Sequence, residues 1–389
     1  MLTGEAVCRA SKNASASGNC SRIRRTKASG RLCAVSCPFE DIILYLRANI
    51  MKMRIEENFN LRAYNTFALD CRCRYFIESD SEEELLELAS SYDLEPDKIL
   101  LLGGGSNFLF TEDFDGTVIY PTIGGIAVVR EDEESVWVKA GAGVVWDDFV
   151  AWSVEHGFFG VENLSLIPGH VGAAPVQNLG AYGMEAADAV YEVEAVDIQG
   201  ACRVTLSAAD CCFGYRDSIF KHQWKNKYII TSVVFRLKKR GEFRLDYGSI
   251  RAELEKAGGD VSLQSVRKAV IRIRRSKLPD VEEMPNAGSF FKNPVVPLRV
   301  AEEMKREAPD MPVYPLDGES AKLAAGWLIE QAGWKGKTLG QAGVHDRQAL
   351  VLVNRGNATG LEITRLANEI KKSVFMRYNV WLEPEVNIL

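Results

Sequence analysis

The stretch NLSLIPGHVGAAPVQNLGAYGME, residues 163–185, contains four glycines and three alanines, so few side chains stand between its backbone and whatever lies against it. Glycine is used where a ligand must approach backbone N–H groups closely or where φ must be positive. Pro168 fixes a turn at the start of the run, and Gln177 and Asn178 add specific hydrogen-bonding groups. The pattern fits either a loop of unusual backbone conformation or a cofactor-binding loop.

A second glycine-rich stretch lies upstream, where a short apolar strand at 98–102 runs into GGGSN at 103–107. Consecutive glycines after a strand can turn their N–H groups inward as a nest for a phosphate, and a tight hairpin is the alternative. The stretch is neither the dinucleotide fingerprint GxGxxG nor a P-loop. Two such stretches in one chain favour a cofactor held between two small blocks of structure.

Composition excludes several classes of protein. The 389 residues are 47% hydrophobic and 26% charged, with a net charge of −6, as in a globular protein of two or three domains that does not bind nucleic acid. No apolar run reaches the roughly 18 residues of a membrane span. Four histidines and nine cysteines without zinc-ligand spacing predict no metal site and reduced thiols, as in the cytoplasm.

Residues 1–52 differ from the rest of the chain. They carry nine Lys/Arg against three Asp/Glu, whereas the remainder carries 38 against 50. We expect an N-terminal extension that is disordered or dispensable. A targeting peptide, a tail outside the fold and sequence upstream of the natural start are the alternatives.

Periodicity and capping predict mixed helices and strands. Helices are expected from the Ser81 capping box onward and over 146–154, 262–275, 320–331 and 361–374. Strands are expected over 98–102, 136–140, 190–198, 228–237, 349–353 and 380–388.

Three side chains stand out chemically. Arg216, among apolar residues in FGYRDSIFK, either binds a carboxylate or phosphate or pairs with Asp217 on the surface. Ser289 lies between Ala-Gly and two phenylalanines without a suitably spaced histidine, which disfavours a nucleophile and is compatible with a proton-donating hydroxyl. Glu385, in an apolar strand, either faces solvent or is a carboxylate placed in a pocket.

In combination, seven ordered motifs resemble the UDP-N-acetylenolpyruvoylglucosamine reductase family, in its longer branch with a tyrosine loop over the substrate. The motifs are NTF at 65–67, GGGSN at 103–107, IPGHVGAAPVQNLGAYG at 167–183, FGYRDSIFK at 213–221, KLP at 277–279, NAGSFFKNP at 286–294 and LEPEV at 382–386.

The resemblance implies an α+β fold, with a two-subdomain FAD-binding fold of the vanillyl-alcohol-oxidase type and a C-terminal α+β substrate domain. The expected FAD-binding subdomains are residues 53–125 and 126–240, and the substrate domain is 241–389, with its last strand returning to the active site. The implied contacts of non-covalent FAD are Gly103, Gly104, Gly105, Ser106, Asn107, Ile167, Pro168, Gly169, Gly172, Gln177, Asn178, Gly180, Ala181, Tyr182 and Arg274.

The resemblance also implies NADPH as co-substrate and reduction of the enolpyruvyl group of UDP-N-acetylglucosamine enolpyruvate to give UDP-N-acetylmuramate for peptidoglycan synthesis. It makes Arg216 the carboxylate-binding residue, Glu385 its acidic neighbour and Ser289 the proton donor. The residues implied to hold the nucleotide-sugar are Tyr247, Lys277, Asn293 and Gln348. We expect a cytoplasmic monomer that supports cell shape and cell division.

One departure from the family pattern keeps a second enzyme class open. His170 stands where a smaller Thr or Ser is expected, and flavin oxidoreductases of the same fold that act on alcohols or sugars often tether FAD through His or Cys. A binding protein that has lost its chemistry is the third alternative, against which the joint presence of Arg216, Ser289 and Glu385 speaks.

Overall fold

The computed structural model describes residues 53–91, 94–247, 249–316 and 318–389. The predicted N-terminal extension, 1–52, therefore lies outside the described residues. The described α-helices are α1 (Glu82–Ser91), α2 (Trp146–Glu155), α3 (Ile250–Ala257), α4 (Leu263–Lys277), α5 (Leu298–Glu307), α6 (Ala325–Gln331) and α7 (Gly360–Tyr378). No helix in these ranges is both long enough and apolar enough to span a bilayer.

Twenty strands are described, and several of them follow one another without an intervening α-helix. They are β1 (Arg54–Asn60), β2 (Arg72–Ser79), β3 (Ile99–Leu101), β4 (Phe108–Leu109), β5 (Phe114–Pro121), β6 (Ile126–Glu131), β7 (Ser135–Gly141), β8 (Gly180–Ala181), β9 (Met184–Glu185), β10 (Val190–Asp197), β11 (Cys202–Ser207), β12 (Tyr228–Lys238), β13 (Asn286–Ser289), β14 (Val295–Pro297), β15 (Val313–Pro315), β16 (Ser320–Leu323), β17 (Thr338–Leu339), β18 (Ala342–Val344), β19 (Val351–Asn354) and β20 (Asn387–Ile388).

Two sheets form the first half of the described chain. The first is mixed, in the order β1-β2-β5-β3, with β2, β5 and β3 parallel. The second is antiparallel, in the order β11-β10-β12-β7-β6. Each has its own apolar core, one around Phe76 and Val118 and the other around Trp146, Phe149 and Phe235. The glycine-rich stretch GGGSN follows β3, and the stretch 163–185 follows α2.

The C-terminal part is built on two smaller antiparallel sheets, β13-β19-β18-β17 and β14-β16-β15. Helices α5, α6 and α7 share a core with them that includes Phe290, Leu328 and Ile363. Helix α7 begins at a Thr359 capping box. The Thr359 hydroxyl accepts the Glu362 N–H, and the Glu362 carboxylate accepts the Thr359 N–H. The predicted boundaries between domains stay predictions.

The end of the chain returns to the first sheet region. Strand β20 pairs in parallel with β4, so that Asn387 lies opposite Phe108. Before that, the Glu385 N–H donates to the Phe290 carbonyl oxygen at 2.8 Å, and the Lys292 N–H donates to Glu383 at 2.9 Å. The C-terminal segment thereby brings Glu385 between the serine-bearing strand β13 and the GGGSN stretch.

Two predicted elements are wrong in part. The predicted helix 320–331 begins as strand β16 and becomes helical only at Ala325, because Ala321 and Leu323 alternate inward between β14 and β15. The predicted strand 380–388 is regular only at β20. Pro384 interrupts it. The backbone around Pro384 bonds to residues 290–292, whereas Asn387 bonds to Asn107.

Candidate active site

The two glycine-rich stretches lie against each other. A Cβ on Gly104 would come within 2.8 Å of the Gly169 Cα, and the Ser106 hydroxyl donates to the Pro168 carbonyl oxygen at 3.1 Å. Gly105 has φ of +63°, and a Cβ there would meet the Tyr64 carbonyl oxygen at 1.9 Å. At Gly104 and Gly105 the missing side chains therefore allow backbone segments of the protein itself to approach one another.

Asn107 ties the GGGSN stretch to two other segments of the site. Its amide donates to the Gln177 side-chain oxygen at 2.8 Å and to the Glu385 carbonyl oxygen at 3.3 Å. The Asn107 carbonyl oxygen accepts the Asn387 N–H at 3.0 Å. One residue thus joins both glycine-rich stretches to the C-terminal segment.

Arg216 and Glu385 form an ion pair inside the cleft. The Arg216 Nε lies 2.9 Å from the Glu385 Oε1, and their side chains are only 19% and 18% exposed. An Arg216 Nη2–H donates to the Gly180 carbonyl oxygen. The predicted alternative, a surface pair with Asp217, is wrong, since the Asp217 carboxylate pairs with His222 instead.

Burial raises the pKa of Glu385, and the neighbouring charges of Arg216, Lys221 and Lys292 oppose that shift. A carboxyl group whose pKa is raised can hold a proton that an exposed glutamate would have lost. Glu385 therefore does not face solvent, and it can act either as a proton-carrying group or as a fixed acceptor for Arg216.

Ser289 is held by the two phenylalanines that follow it. Phe290 and Phe291 are buried in the C-terminal core, and Ser289 lies opposite Val351 of β19. Gly288, with φ of +68°, makes the bend that precedes the serine. The Ser289 hydroxyl makes no hydrogen bond with another described residue and lines the cleft. It is thus placed to bond to a ligand.

Arg274 reaches the cleft from the last turn of α4. Its Nε–H donates to the Leu166 carbonyl oxygen at 3.1 Å, and burial lowers the pKa of its guanidinium. Two turns earlier on the same face of α4, Arg267 bonds to both carboxylate oxygens of Asp147 at 2.6 and 2.9 Å. A buried cation is thereby presented to the cleft by a firmly docked helix.

These groups surround one cleft that is open to solvent. It combines apolar walls, backbone and a few converging polar side chains. Its lining residues are Ser106, Asn107, Ile167, Pro168, Gln177, Leu179, Gly180, Arg216, Arg274, Leu278, Ala287, Gly288, Ser289 and Glu385.

Other predicted cofactor contacts are absent from this lining. Asn178 is buried, and its amide bonds to the Glu185 carboxylate at 2.6 Å and to the Gly214 carbonyl oxygen at 2.9 Å. Its side chain therefore supports the Arg216 loop. Seven further predicted contacts do not line the cleft: Gly103, Gly104, Gly105, Gly169, Gly172, Ala181 and Tyr182.

The four predicted nucleotide-sugar residues do not line this cleft. Asn293 and Gln348 both lie near the start of α6: the Asn293 Oδ1 accepts the Ala325 N–H at 3.0 Å, and a Cβ on Gly326 would lie 3.0 Å from the Gln348 Oε1. Tyr247 is exposed and stacks on Tyr314, with ring centroids 6.1 Å apart. Lys277 ends α4 and is exposed, next to the cleft residue Leu278.

Sequence reasoning missed Lys322, whose ammonium lies 3.6 Å from the centre of the Tyr215 ring. Burial lowers the pKa of Lys322, and Arg216 adds to the lowering. A strand-like alternation at this position could have indicated it, because Lys322 lies between the buried Ala321 and Leu323 of β16. The predicted helix at this position concealed it.

His170 lies beside the GGGSN stretch, with its ring 5.8 Å from that of Tyr120. Burial lowers the pKa of His170, and its Nδ1 is buried without a hydrogen-bond partner among the described residues. An anionic cofactor fits this region, because backbone N–H groups of the two stretches and the Arg274 guanidinium offer donors.

Two protein-family models match the chain. An FAD binding domain matches residues 73–205, and the C-terminal domain of UDP-N-acetylenolpyruvoylglucosamine reductase matches residues 280–389. The chain is 48% identical over 335 residues to the UDP-N-acetylenolpyruvoylglucosamine reductase of Bacteroides fragilis strain YCH46, covering 86% of this chain and 100% of that one. It is 46% identical over 341 residues to the Chromobacterium violaceum protein of the same name, covering 87% and 100%.

A solved structure shares the fold. It is the UDP-N-acetylenolpyruvylglucosamine reductase of Thermus caldophilus, with a TM-score of 0.62 and 24% identity, covering 87% of this chain and 99% of that one. The predicted α+β class with an FAD-binding fold is confirmed by this likeness and by the match to the FAD binding domain.

Proposed function

This chain belongs to the UDP-N-acetylenolpyruvoylglucosamine reductase family, and on that premise we propose how its residues carry out the family's reaction. The protein is an FAD-dependent oxidoreductase that reduces the enolpyruvyl group of UDP-N-acetylglucosamine enolpyruvate to give UDP-N-acetylmuramate for peptidoglycan. One observation carries the assignment of roles: Arg216, Glu385 and Ser289 line the same cleft as both glycine-rich stretches.

The two glycine-rich stretches and Arg274 would hold FAD without a covalent link. Backbone N–H groups of these stretches suit the pyrophosphate. The buried Arg274 guanidinium suits an electron-rich edge of the flavin ring. When bound, FAD would supply the two-electron redox chemistry that links a nicotinamide to the enolpyruvyl group.

Arg216 would bind the carboxylate of the enolpyruvyl group. Hydride addition to the terminal carbon develops negative charge on that carboxylate, and a fixed cation stabilises the charge as it forms. The Nε–H of Arg216 faces the Glu385 carboxylate, and one N–H of Nη2 donates to the Gly180 carbonyl oxygen. The remaining N–H groups are left for the substrate.

Ser289 would deliver the proton to the carbon next to the carboxylate. A serine hydroxyl is a weak acid in water, so its role depends on the surrounding positive charge and on a way to regain the proton. The hydroxyl faces the cleft that also contains the Arg216–Glu385 pair. Glu385, whose pKa burial raises, is a nearby group able to hold a proton.

We further propose that Tyr247, Lys277, Asn293 and Gln348 hold the nucleotide-sugar outside the reaction cleft. Lys277 adjoins the cleft residue Leu278, whereas the others lie on the C-terminal part or on the exposed segment at 247. The proposal also includes NADPH as the reductant, a monomeric enzyme and a cytoplasmic location, where nucleotide-activated sugars and NADPH are available. Cell shape and division would depend on the product through the cell wall.

Steady-state turnover tests the proposal. Purified protein with bound FAD is mixed with UDP-N-acetylglucosamine enolpyruvate and either NADPH or NADH, and nicotinamide oxidation is followed with product mass. We expect UDP-N-acetylmuramate, with a clear preference for NADPH. UDP-N-acetylglucosamine, which lacks the double bond, is the control and should not be consumed. Absence of the reduced product with either nicotinamide would refute the function.

A further inference from the structure

Lys221 is a half-buried lysine whose ammonium faces a backbone carbonyl. It ends the short 3-10 turn Ile219–Lys221, and its Nζ donates to the Arg216 carbonyl oxygen at 3.0 Å. It makes no ion pair within 4.0 Å of a carboxylate among the described residues, and it does not line the cleft. Removing an ammonium from water is costly, so this placement calls for a role.

The residue that Lys221 bonds has an unusual backbone. Arg216 has φ of 55°, in the left-handed region that non-glycine residues rarely adopt. The turn around it is closed by the Gly214 N–H bond to Asp217 at 2.9 Å and by the reverse bond at 3.1 Å. A strained residue persists only where its surroundings hold it. The Lys221 bond acts on the Arg216 carbonyl, directly beside the strained φ.

Several charged side chains surround this turn. Arg216, Lys221 and Lys292 all act on the buried Glu385 carboxylate. Of the other acids near them, Asp217 is engaged with His222 at 2.8 Å, and Glu383 lies 3.9 Å from Lys292 on the surface. Three cations thus act on the one buried Glu385 carboxylate, and a negative ligand group beside Arg216 would interact favourably with the same cations.

We propose that Lys221 is a positioning residue: it holds Arg216 in its left-handed conformation and adds a second positive charge behind the guanidinium. The inference rests on the proposed function, because the anion concerned is the carboxylate of the enolpyruvyl group. Lys221 then governs binding and turnover of the carboxylate-bearing substrate and has little influence on the nucleotide part.

The test compares Lys221→Met, Lys221→Arg and the control Lys225→Met, which removes an exposed lysine from the same segment. For Lys221→Met we expect kcat/KM with UDP-N-acetylglucosamine enolpyruvate to fall about 10-fold to 100-fold, the range for loss of a charge-assisted hydrogen bond. Binding of UDP-N-acetylglucosamine, which lacks the carboxylate, and reduction of bound flavin by NADPH should stay within about 2-fold. Lys221→Arg should recover most of the loss.

A merely structural role would weaken both nucleotides alike and would slow flavin reduction, and that result overturns the inference. So does an unchanged kcat/KM in Lys221→Met. If Lys221→Met does not fold with bound FAD, the same comparison is made with Lys221→Gln. A wild-type protein that does not reduce the enolpyruvyl nucleotide overturns the proposed function and this inference together, whereas active wild type with unaffected variants overturns this inference alone.

Discussion

Gly180 controls the position of the Arg216 guanidinium, and Gly180→Ala is the sharpest perturbation that the structure offers. A Cβ at Gly180 would lie 2.7 Å from the Arg216 Nη1 and 2.9 Å from the Met184 carbonyl oxygen. Ordinary contact begins at 3.4 Å, so the guanidinium must move by about 0.7 Å. The Gly180 carbonyl oxygen that accepts from Arg216 belongs to the same residue.

A displacement approaching 1 Å at a group that orients the reacting substrate can cost about 100-fold in rate. We therefore expect kcat with the enolpyruvyl nucleotide to fall about 10-fold to 100-fold. The contact with the Met184 backbone adds an overpacking cost of about 1 to 3 kcal/mol to the folded state.

The assay separates the two half-reactions by stopped flow. NADPH should bleach the bound flavin at nearly the wild-type rate, and recovery of the colour after addition of the enolpyruvyl nucleotide should be slow. Gly124→Ala is the matched control, because its added Cβ meets nothing within 4 Å. If Gly180→Ala turned over at the wild-type rate, the assignment of Arg216 to the substrate carboxylate would be untenable.

Three further predictions concern single side chains. Ser289→Ala should lower kcat with the enolpyruvyl nucleotide about 100-fold to 1,000-fold, as for loss of one transition-state donor, while the flavin is still reduced by NADPH; equal slowing of both steps would contradict the role. Because burial raises the pKa of Glu385, the wild-type pH profile of substrate reduction should contain an ionisation above the usual range of a glutamate, near 4.3. Glu385→Gln should lack that ionisation, and its persistence would assign it elsewhere. Asp147→Asn should cost about 1 to 3 kcal/mol of unfolding free energy in urea at neutral pH, because Asp147 accepts two bonds from Arg267. Burial raises the pKa of Asp147, but the bonds from Arg267 and Leu166 outweigh it, so the net shift is downward. The stabilisation is therefore present above the unfolded pKa near 3.9 and is lost as pH falls below it, and a difference from wild type that stays constant to pH 2 would refute this.

The sequence predicted those parts of the fold in which local signals agree with tertiary contacts. Strands β10 and β12 are rich in β-branched residues in an alternating pattern, and both were predicted. Helix α4 begins next to Ser262, where the sequence predicted its start. The prediction fails where tertiary pairing decides the local structure. Strand β16 depends on two flanking strands, and the segment before β20 takes its partners from Phe290 and Asn107.

The site shows the same division. Motifs placed Arg216, Ser289 and Glu385 in one cleft, although they lie far apart in the chain. Motifs did not indicate which glycines pack against protein backbone, as Gly105 does against Tyr64. Nor did they reveal that Asn178 supports the Arg216 loop, because hydrogen-bond partners distant in sequence leave no local pattern.

Single-turnover oxidation of the NADPH-reduced protein tests the central claim most directly. Under anaerobic conditions, reduced protein freed of nicotinamide is mixed with UDP-N-acetylglucosamine enolpyruvate, and flavin colour and UDP-N-acetylmuramate are followed together. We predict that colour and product rise in step in the wild type, and that both are strongly slowed in Arg216→Met and Ser289→Ala. Return of colour without product, or equal rates in all three proteins, would contradict the account.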